Sequence, residues 1–129
     1  MEYFPRRSYS DIDVKEAGRI IAGDVIWTEE SAPHIREAFA VANSWRDSHD
    51  FPMRSIRHSV IRFMYRRAIQ GISAARLKRM KAIRMKLTRI PVGLHQLQDL
   101  GGCRFILPTI ADVHKLTAIL KAELPHTLR

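Results

Sequence analysis

Acidic residues are missing from a long internal stretch of this chain: residues 51–98 contain neither Asp nor Glu. The same stretch contains twelve Lys and Arg residues, whereas residues 1–50 carry a net charge of about −4 and residues 99–129 about +1. The overall charge of +9 is therefore concentrated in one segment. Such localisation predicts a defined anion site rather than diffuse attraction, with a solvated Arg-rich helical face as the alternative.

Other absences narrow the class of protein. No stretch approaches eighteen consecutive apolar residues, so no transmembrane helix is predicted. The first residues lack a basic segment followed by an apolar run, and we expect no secretory signal peptide. The single cysteine, Cys103, cannot form an internal disulfide, which fits a reducing cytoplasm. Because Cys103 lies in an apolar run, we expect a buried thiol rather than a reactive one.

The hydrophobic pattern is mainly helical. A chain of 129 residues, 46% of them hydrophobic, can bury one core, so we predict one structural unit. Apolar residues recur at helical spacing in five segments, which cover about residues 11–22, 31–46, 52–70, 74–89 and 110–123. In the third segment, four basic side chains repeat every fourth residue and predict a cationic ridge, either for a ligand or for solubility. They are Arg54, His58, Arg62 and Arg66.

Cys103–Leu107 is the only predicted strand, and we expect it to be buried. One strand cannot satisfy its own backbone hydrogen bonds, so its partners are expected beyond Arg129 or in another chain, and a truncated domain is favoured. The predicted fold class is α+β. A helical lead-in, residues 1–50, precedes residues 51–129, which contribute the first strand of a sheet.

The candidate site combines the basic segment with one carboxylate. Seven of the sixteen residues in segment 74–89 are basic, and Asp99 follows, just before the pair Gly101-Gly102. Arg and Lys neutralise phosphate oxygens, and a lone Asp helps to hold Mg²⁺ that bridges those phosphates. An Asp near two glycines is also an ordinary turn residue, which is the competing interpretation.

These residues also form a recognisable pattern. Arg76-x-Lys78-x-x-x-x-Ile83-x-x-Lys86-Leu87, followed by Gln98-Asp99-Leu100-Gly101-Gly102-x-Arg104-Phe105-Ile106, resembles the RelA/SpoT alarmone synthetase domain. Upstream, residues 41–52 look like the helical lead-in of the small, single-domain members. The resemblance spans about residues 9–124.

The resemblance implies a fold related to nucleotidyltransferases and a role in ppGpp metabolism, as in the bacterial stringent response. The family transfers pyrophosphate from ATP to the 3′-hydroxyl of GTP or GDP. It also implies that Asp99 binds Mg²⁺. Ala82 departs from the family, which often has Ser there. Carried over by position, the residues that bind ATP phosphates are Arg76, Lys78, Lys86 and Arg104.

The acceptor side of such a site is missing from the sequence. The family has a later Gly-Tyr-Arg segment, whose Tyr stacks on guanine, and a Glu on a later strand; neither is present here. We therefore expect the donor half of a longer protein, with no catalytic residue of its own and no transfer in isolation. Two alternatives stay open: a toxin-like relative that pyrophosphorylates tRNA, and a non-catalytic basic module that binds nucleic acid. No membrane partner is expected, and oligomerisation is left open.

Overall fold

The structure, a computed structural model, describes residues 9–124. These residues are mixed α+β and mostly helical, which confirms the predicted class. Every helix among them is too short or too polar to cross a lipid bilayer. The elements are α1 (Asp11–Ile21), α2 (Ala32–Asp47), α3 (Asp50–Arg66), β1 (Ile72–Leu77), α4 (Met80–Arg89), β2 (Gly101–Ile106) and α5 (Ile110–Glu123), with a 3₁₀ turn at Leu94–Gln96.

The chain divides into two compact units. The first unit consists of residues up to Pro52 together with Arg76–Gly102, and the second consists of Met53–Ala75 together with residues from Cys103 onward. The core of the second unit is small, formed by Val60, Met64, Ile69 and Leu116. The larger core of the first unit is formed by Val14, Ala17, Ile21, Ala38, Val41, Ala42, Ile83, Leu87, Leu94, Leu97 and Leu100.

Helix α1 begins where its sequence predicts. The Ser10 hydroxyl accepts a hydrogen bond from the Asp13 backbone N–H at 3.2 Å, and the Asp13 carboxylate accepts one from the Ser10 N–H at 3.1 Å. This reciprocal capping box satisfies two N–H groups that the helix itself cannot pair. The helical spacing of apolar residues also predicts α2, α3 and α5 to within a few residues of their observed bounds.

The prediction of one helix over residues 74–89 is wrong at its N-terminal end. Residues Ile72–Leu77 form β1, and the helix begins only at Met80. Ala, Arg and Leu are good helix formers, but pairing with β2 overrides that weak local preference. Arg79, the N-cap of α4, is extended and makes no side-chain capping bond, so the sequence carries no start signal there.

The expectation that β2 finds its partner outside the chain is therefore wrong. β1 and β2 pair with each other as an antiparallel two-stranded sheet. β2 begins at Gly101, two residues before the predicted start, and ends at Ile106. Its residues alternate between half-buried and exposed, as do those of β1, so neither strand is buried on both faces.

Gly18 gives α1 its close approach to the 3₁₀ turn. A methyl group at Gly18 would lie 2.6 Å from Leu94 Cβ and 3.1 Å from Leu94 N. Gly18→Ala is therefore expected to lower the free energy of unfolding by about 1–3 kcal/mol, despite the better helix propensity of Ala. Gly23→Ala serves as the control, since nothing lies within 4 Å of its added methyl group. Equal urea midpoints for the two variants would contradict this packing.

Helix α3 ends in a Schellman motif that has Ala at the usual glycine position. Ala68 has φ of 53°, and the Ile69 N–H donates to the Met64 carbonyl at 2.9 Å. A left-handed conformation costs a non-glycine residue about 1–2 kcal/mol. Ala68→Gly is therefore expected to stabilise the protein by up to about 1 kcal/mol in thermal unfolding. The exposed strand residue Ala74 is the control, and Ala74→Gly is expected to destabilise.

Candidate polyphosphate site

The site begins at Lys78, in the short connection between β1 and α4. Its backbone is held on both sides: the Lys78 N–H donates to the Leu100 carbonyl at 2.6 Å, and the Lys78 carbonyl accepts from Arg46 Nε at 2.6 Å. Arg46 lies in the last turn of α2. These two bonds fix the direction in which the Lys78 side chain leaves the backbone. The sequence does not indicate this role for Arg46, because no sequence motif reveals a hydrogen bond to a backbone carbonyl.

Helix α4 supplies the second ammonium group, from Lys86. Ile83 and Leu87 on this helix are buried in the core of the first unit, which sets the rotation of the helix about its axis. Lys86 therefore stays at the edge of the core, with its side chain 28% exposed. Its long apolar stem is covered while the charged end remains accessible.

Both lysines meet at one carboxylate oxygen. Lys78 Nζ lies 2.8 Å and Lys86 Nζ 2.6 Å from Asp99 Oδ2. The backbone on either side of Asp99 is anchored by the buried side chains of Leu97 and Leu100. The Asp99 side chain is 46% exposed. The structure thus brings together three of the five residues that the sequence nominated, and they carry a net charge of +1.

The electrostatics of this cluster favour an ionised aspartate. Hydrogen bonds from Lys78 and Lys86 hold the pKa of the Asp99 carboxyl below its usual value, against a smaller opposing effect of burial. Because the unfolded chain then takes up the proton first, the stabilisation is present at neutral pH and is lost as the pH falls through the lowered pKa. For a half-exposed cluster this contribution is small.

Arg76 and Arg104 do not join this cluster by any described hydrogen bond. Arg76 lies at an exposed position of β1 and Arg104 at an exposed position of β2. Arg76 belongs to the first unit and Arg104 to the second. Their contact with ATP phosphates stays a prediction.

Arg84, in the basic segment 74–89, has a structural role. Arg84 Nε donates to the Ile21 carbonyl at 2.9 Å, at the end of α1, and the guanidinium lies 5.4 Å from the centre of the Phe39 ring. Arg84 therefore fastens α4 within the first unit. Composition alone could not separate it from its neighbours, since every cation in the segment looks equally available. Arg79, Lys81 and Arg89 are exposed.

Cys103 is half-buried rather than fully buried. Its thiol Sγ donates to the Met53 carbonyl at 3.4 Å, and burial raises the pKa of the thiol. A raised pKa lowers the thiolate fraction, and the thiolate is the reactive form. This agrees with the expectation of an unreactive cysteine.

The carboxylate suits a metal only together with a ligand that supplies further oxygens. Among residues 9–124 there is no group of three or more His, Cys, Asp and Glu side chains that could hold a metal ion. Mg²⁺ bound with nucleotides is typically held by one or two carboxylates plus phosphate oxygens and water. Both lysines contact the same Asp99 oxygen, Oδ2.

Comparison with family models and with curated proteins identifies no relative of this chain. Any functional conclusion therefore depends on the geometry of the lysine–aspartate cluster and on the sequence pattern that contains it.

Proposed function

We propose that the first unit binds the polyphosphate of ATP together with Mg²⁺, as the donor side of a pyrophosphokinase that resembles the RelA/SpoT alarmone synthetases. The observation that carries the proposal is the convergence of Lys78 and Lys86 on Asp99 Oδ2, at 2.8 and 2.6 Å. Lys78 and Lys86 precede Asp99 in the sequence by 21 and 13 positions, respectively. Lys78 directly follows β1, Lys86 lies on α4, and Asp99 lies just before β2.

The chemistry of the three side chains fits this ligand. Each ammonium has three N–H donors, so each lysine can bind phosphate oxygens. Transfer of pyrophosphate is mainly a matter of positioning and charge neutralisation, and the two lysines contribute both. When bound, Mg²⁺ would add positive charge between phosphate oxygens, and Asp99 would hold it.

The proposed reaction forms one bond and breaks one. The 3′-hydroxyl oxygen of GTP or GDP attacks the β-phosphorus of ATP, and the bond from that phosphorus to the α–β bridging oxygen breaks. AMP leaves with the bridging oxygen, and the proton of the acceptor hydroxyl is released to water. Lys78 and Lys86 neutralise charge on the transferred group, while the acceptor binds elsewhere. The product would be a ppGpp-type nucleotide. The proposed compartment is the cytoplasm, which the single cysteine favours.

Affinity for Mg-ATP tests the proposal through Lys86. Lys86→Ala is expected to weaken binding by about 1.5–3 kcal/mol, the scale of a charge-assisted hydrogen bond. Isothermal titration calorimetry with the full chain measures this loss. Lys81→Ala is the matched control, because it removes the same charge from an exposed position of the same helix.

Two competition experiments test whether the site recognises the polyphosphate of ATP. Inorganic pyrophosphate should compete with Mg-ATP, whereas AMP should compete poorly because it has one phosphate. If a folded Lys86→Ala protein binds Mg-ATP as tightly as Lys81→Ala does, the lysine–aspartate cluster is not the site. Transfer itself is then followed with labelled ATP and GTP, GDP or tRNA as acceptor.

A further inference from the structure

Helix α3 carries a second basic surface, and it lies in the second unit. The four residues predicted to form the ridge are all exposed. Four residues advance a helix by about 6 Å and a little over one turn, so their side chains form a row about 18 Å long. This row comprises Arg54, His58, Arg62 and Arg66, and it is named the α3 ridge below.

An exposed aromatic ring borders the ridge. Tyr65 lies next to Arg66 and three residues after Arg62, and its side chain is 87% exposed. Val60 and Met64, on the other side of the helix, are buried in the core of the second unit. Tyr65 therefore adds nothing to that core, and its ring is open to a ligand on the same surface as the two arginines.

The charge of the ridge is not balanced by the rest of the second unit. Residues 53–75 and 103–124 include eight basic residues and two acidic ones. Both acids have partners: the Asp112 carboxylate accepts from the Thr109 hydroxyl at 2.9 Å, and Glu123 pairs with Arg67 at 2.9 Å. The positive charge of Arg62 and Arg66 thus remains available to an external anion.

We infer that the α3 ridge binds single-stranded nucleic acid, with Arg62 and Arg66 on neighbouring phosphates and Tyr65 stacked on a base. A cationic row with an exposed aromatic side chain is the combination that holds single strands. An unstacked base is accessible in a single strand and not inside a duplex. An anionic membrane fits less well, because the apolar face of α3 is buried and only Ile61 and Tyr65 remain exposed on this surface.

Fluorescence anisotropy with the full chain and a labelled, unstructured RNA of about 20 nucleotides tests this inference. The double variant Arg62→Ala/Arg66→Ala is expected to bind at least about tenfold more weakly. Its salt dependence should also become shallower, by about 0.7 in logarithmic slope for each lost phosphate contact. Tyr65→Ala should lose about five- to a hundredfold, while Tyr65→Phe keeps the ring and the affinity.

The control is Lys115→Ala/Lys121→Ala, which removes two exposed charges from α5 in the same unit. Equal RNA affinity of the two double variants would overturn the inference, as would a preference for duplex RNA that Tyr65→Ala leaves unchanged. Binding to phosphatidylserine vesicles that RNA does not displace would also overturn it. A matched DNA strand shows whether the sugar matters, and Arg62→Gln/Arg66→Gln replaces the alanine variant if that one fails to fold. Mg-ATP affinity should not change in the α3 ridge variants, so this test is independent of the proposed polyphosphate site.

Discussion

Replacing Ile83 with alanine is expected to lower the free energy of unfolding by about 2–5 kcal/mol. The Ile83 side chain is 0% exposed and lies in the core of the first unit. Truncation removes buried methyl groups and leaves a cavity that the close-packed surroundings fill only in part. Because Ile83 also orients α4, Lys86 should lose its fixed position even in molecules that remain folded.

Tryptophan fluorescence during urea unfolding measures this effect in the relevant unit. The chain has two tryptophans, Trp27 and Trp45, and both belong to the first unit. Ile83→Val should cost only about 0.5–1.5 kcal/mol. Met85→Ala, on the same helix with a side chain 53% exposed, should cost less than about 0.5 kcal/mol. A midpoint for Ile83→Ala close to that of Met85→Ala would contradict the core described above.

Removing both lysines is expected to reduce Mg-ATP affinity by about 3–6 kcal/mol, which puts binding beyond ordinary titration. In Lys78→Ala/Lys86→Ala the charge of the three side chains changes from +1 to −1, so Asp99 repels any phosphate charge that Mg²⁺ does not neutralise. The loss therefore combines two missing contacts with a new repulsion.

The repulsion can be isolated by one more substitution. Adding Asp99→Asn to the double variant should recover part of the ATP affinity, most clearly in magnesium-free buffer. Competition against a fluorescent ATP analogue can measure this recovery at weak affinity. If the triple variant binds ATP no better than the double variant in magnesium-free buffer, Asp99 does not face the polyphosphate. Circular dichroism confirms that each variant is folded.

The sequence was most predictive where the signal is local. Ser10 and Asp13 mark the start of α1 through a capping box, and the apolar stripe of α3 includes Met53, Val60 and Met64, all of which are buried. Such features depend on neighbours within four residues. The resemblance to the RelA/SpoT pattern nominates Asp99 and the two lysines, and the structure brings these three residues together.

The failures concern contacts that link distant segments. Residues Ile72–Leu77 have the composition of a helix, and only their pairing with Gly101–Ile106 makes them a strand. For the same reason Arg84 looked like part of a binding surface, although it binds a carbonyl 63 residues away in the sequence. A hydrogen bond to a backbone carbonyl requires no particular residue type in the partner, so it cannot be recognised in a sequence pattern. Sequence alone therefore could not separate cations with a structural role from cations that could bind a ligand.

Asp99 gives the proposed polyphosphate site a consequence for selectivity. Its carboxylate already occupies the position between Lys78 and Lys86 that an incoming anion would take. A bare anion, such as chloride or free phosphate, must displace Asp99 and leave it without a counter-charge. A polyphosphate that carries its own Mg²⁺ offers the carboxylate a new cation in exchange for the lysines. In the proposed site, discrimination among anions therefore depends on the cation that the displaced aspartate receives, and we expect a metal-bound polyphosphate to bind more tightly than its metal-free form.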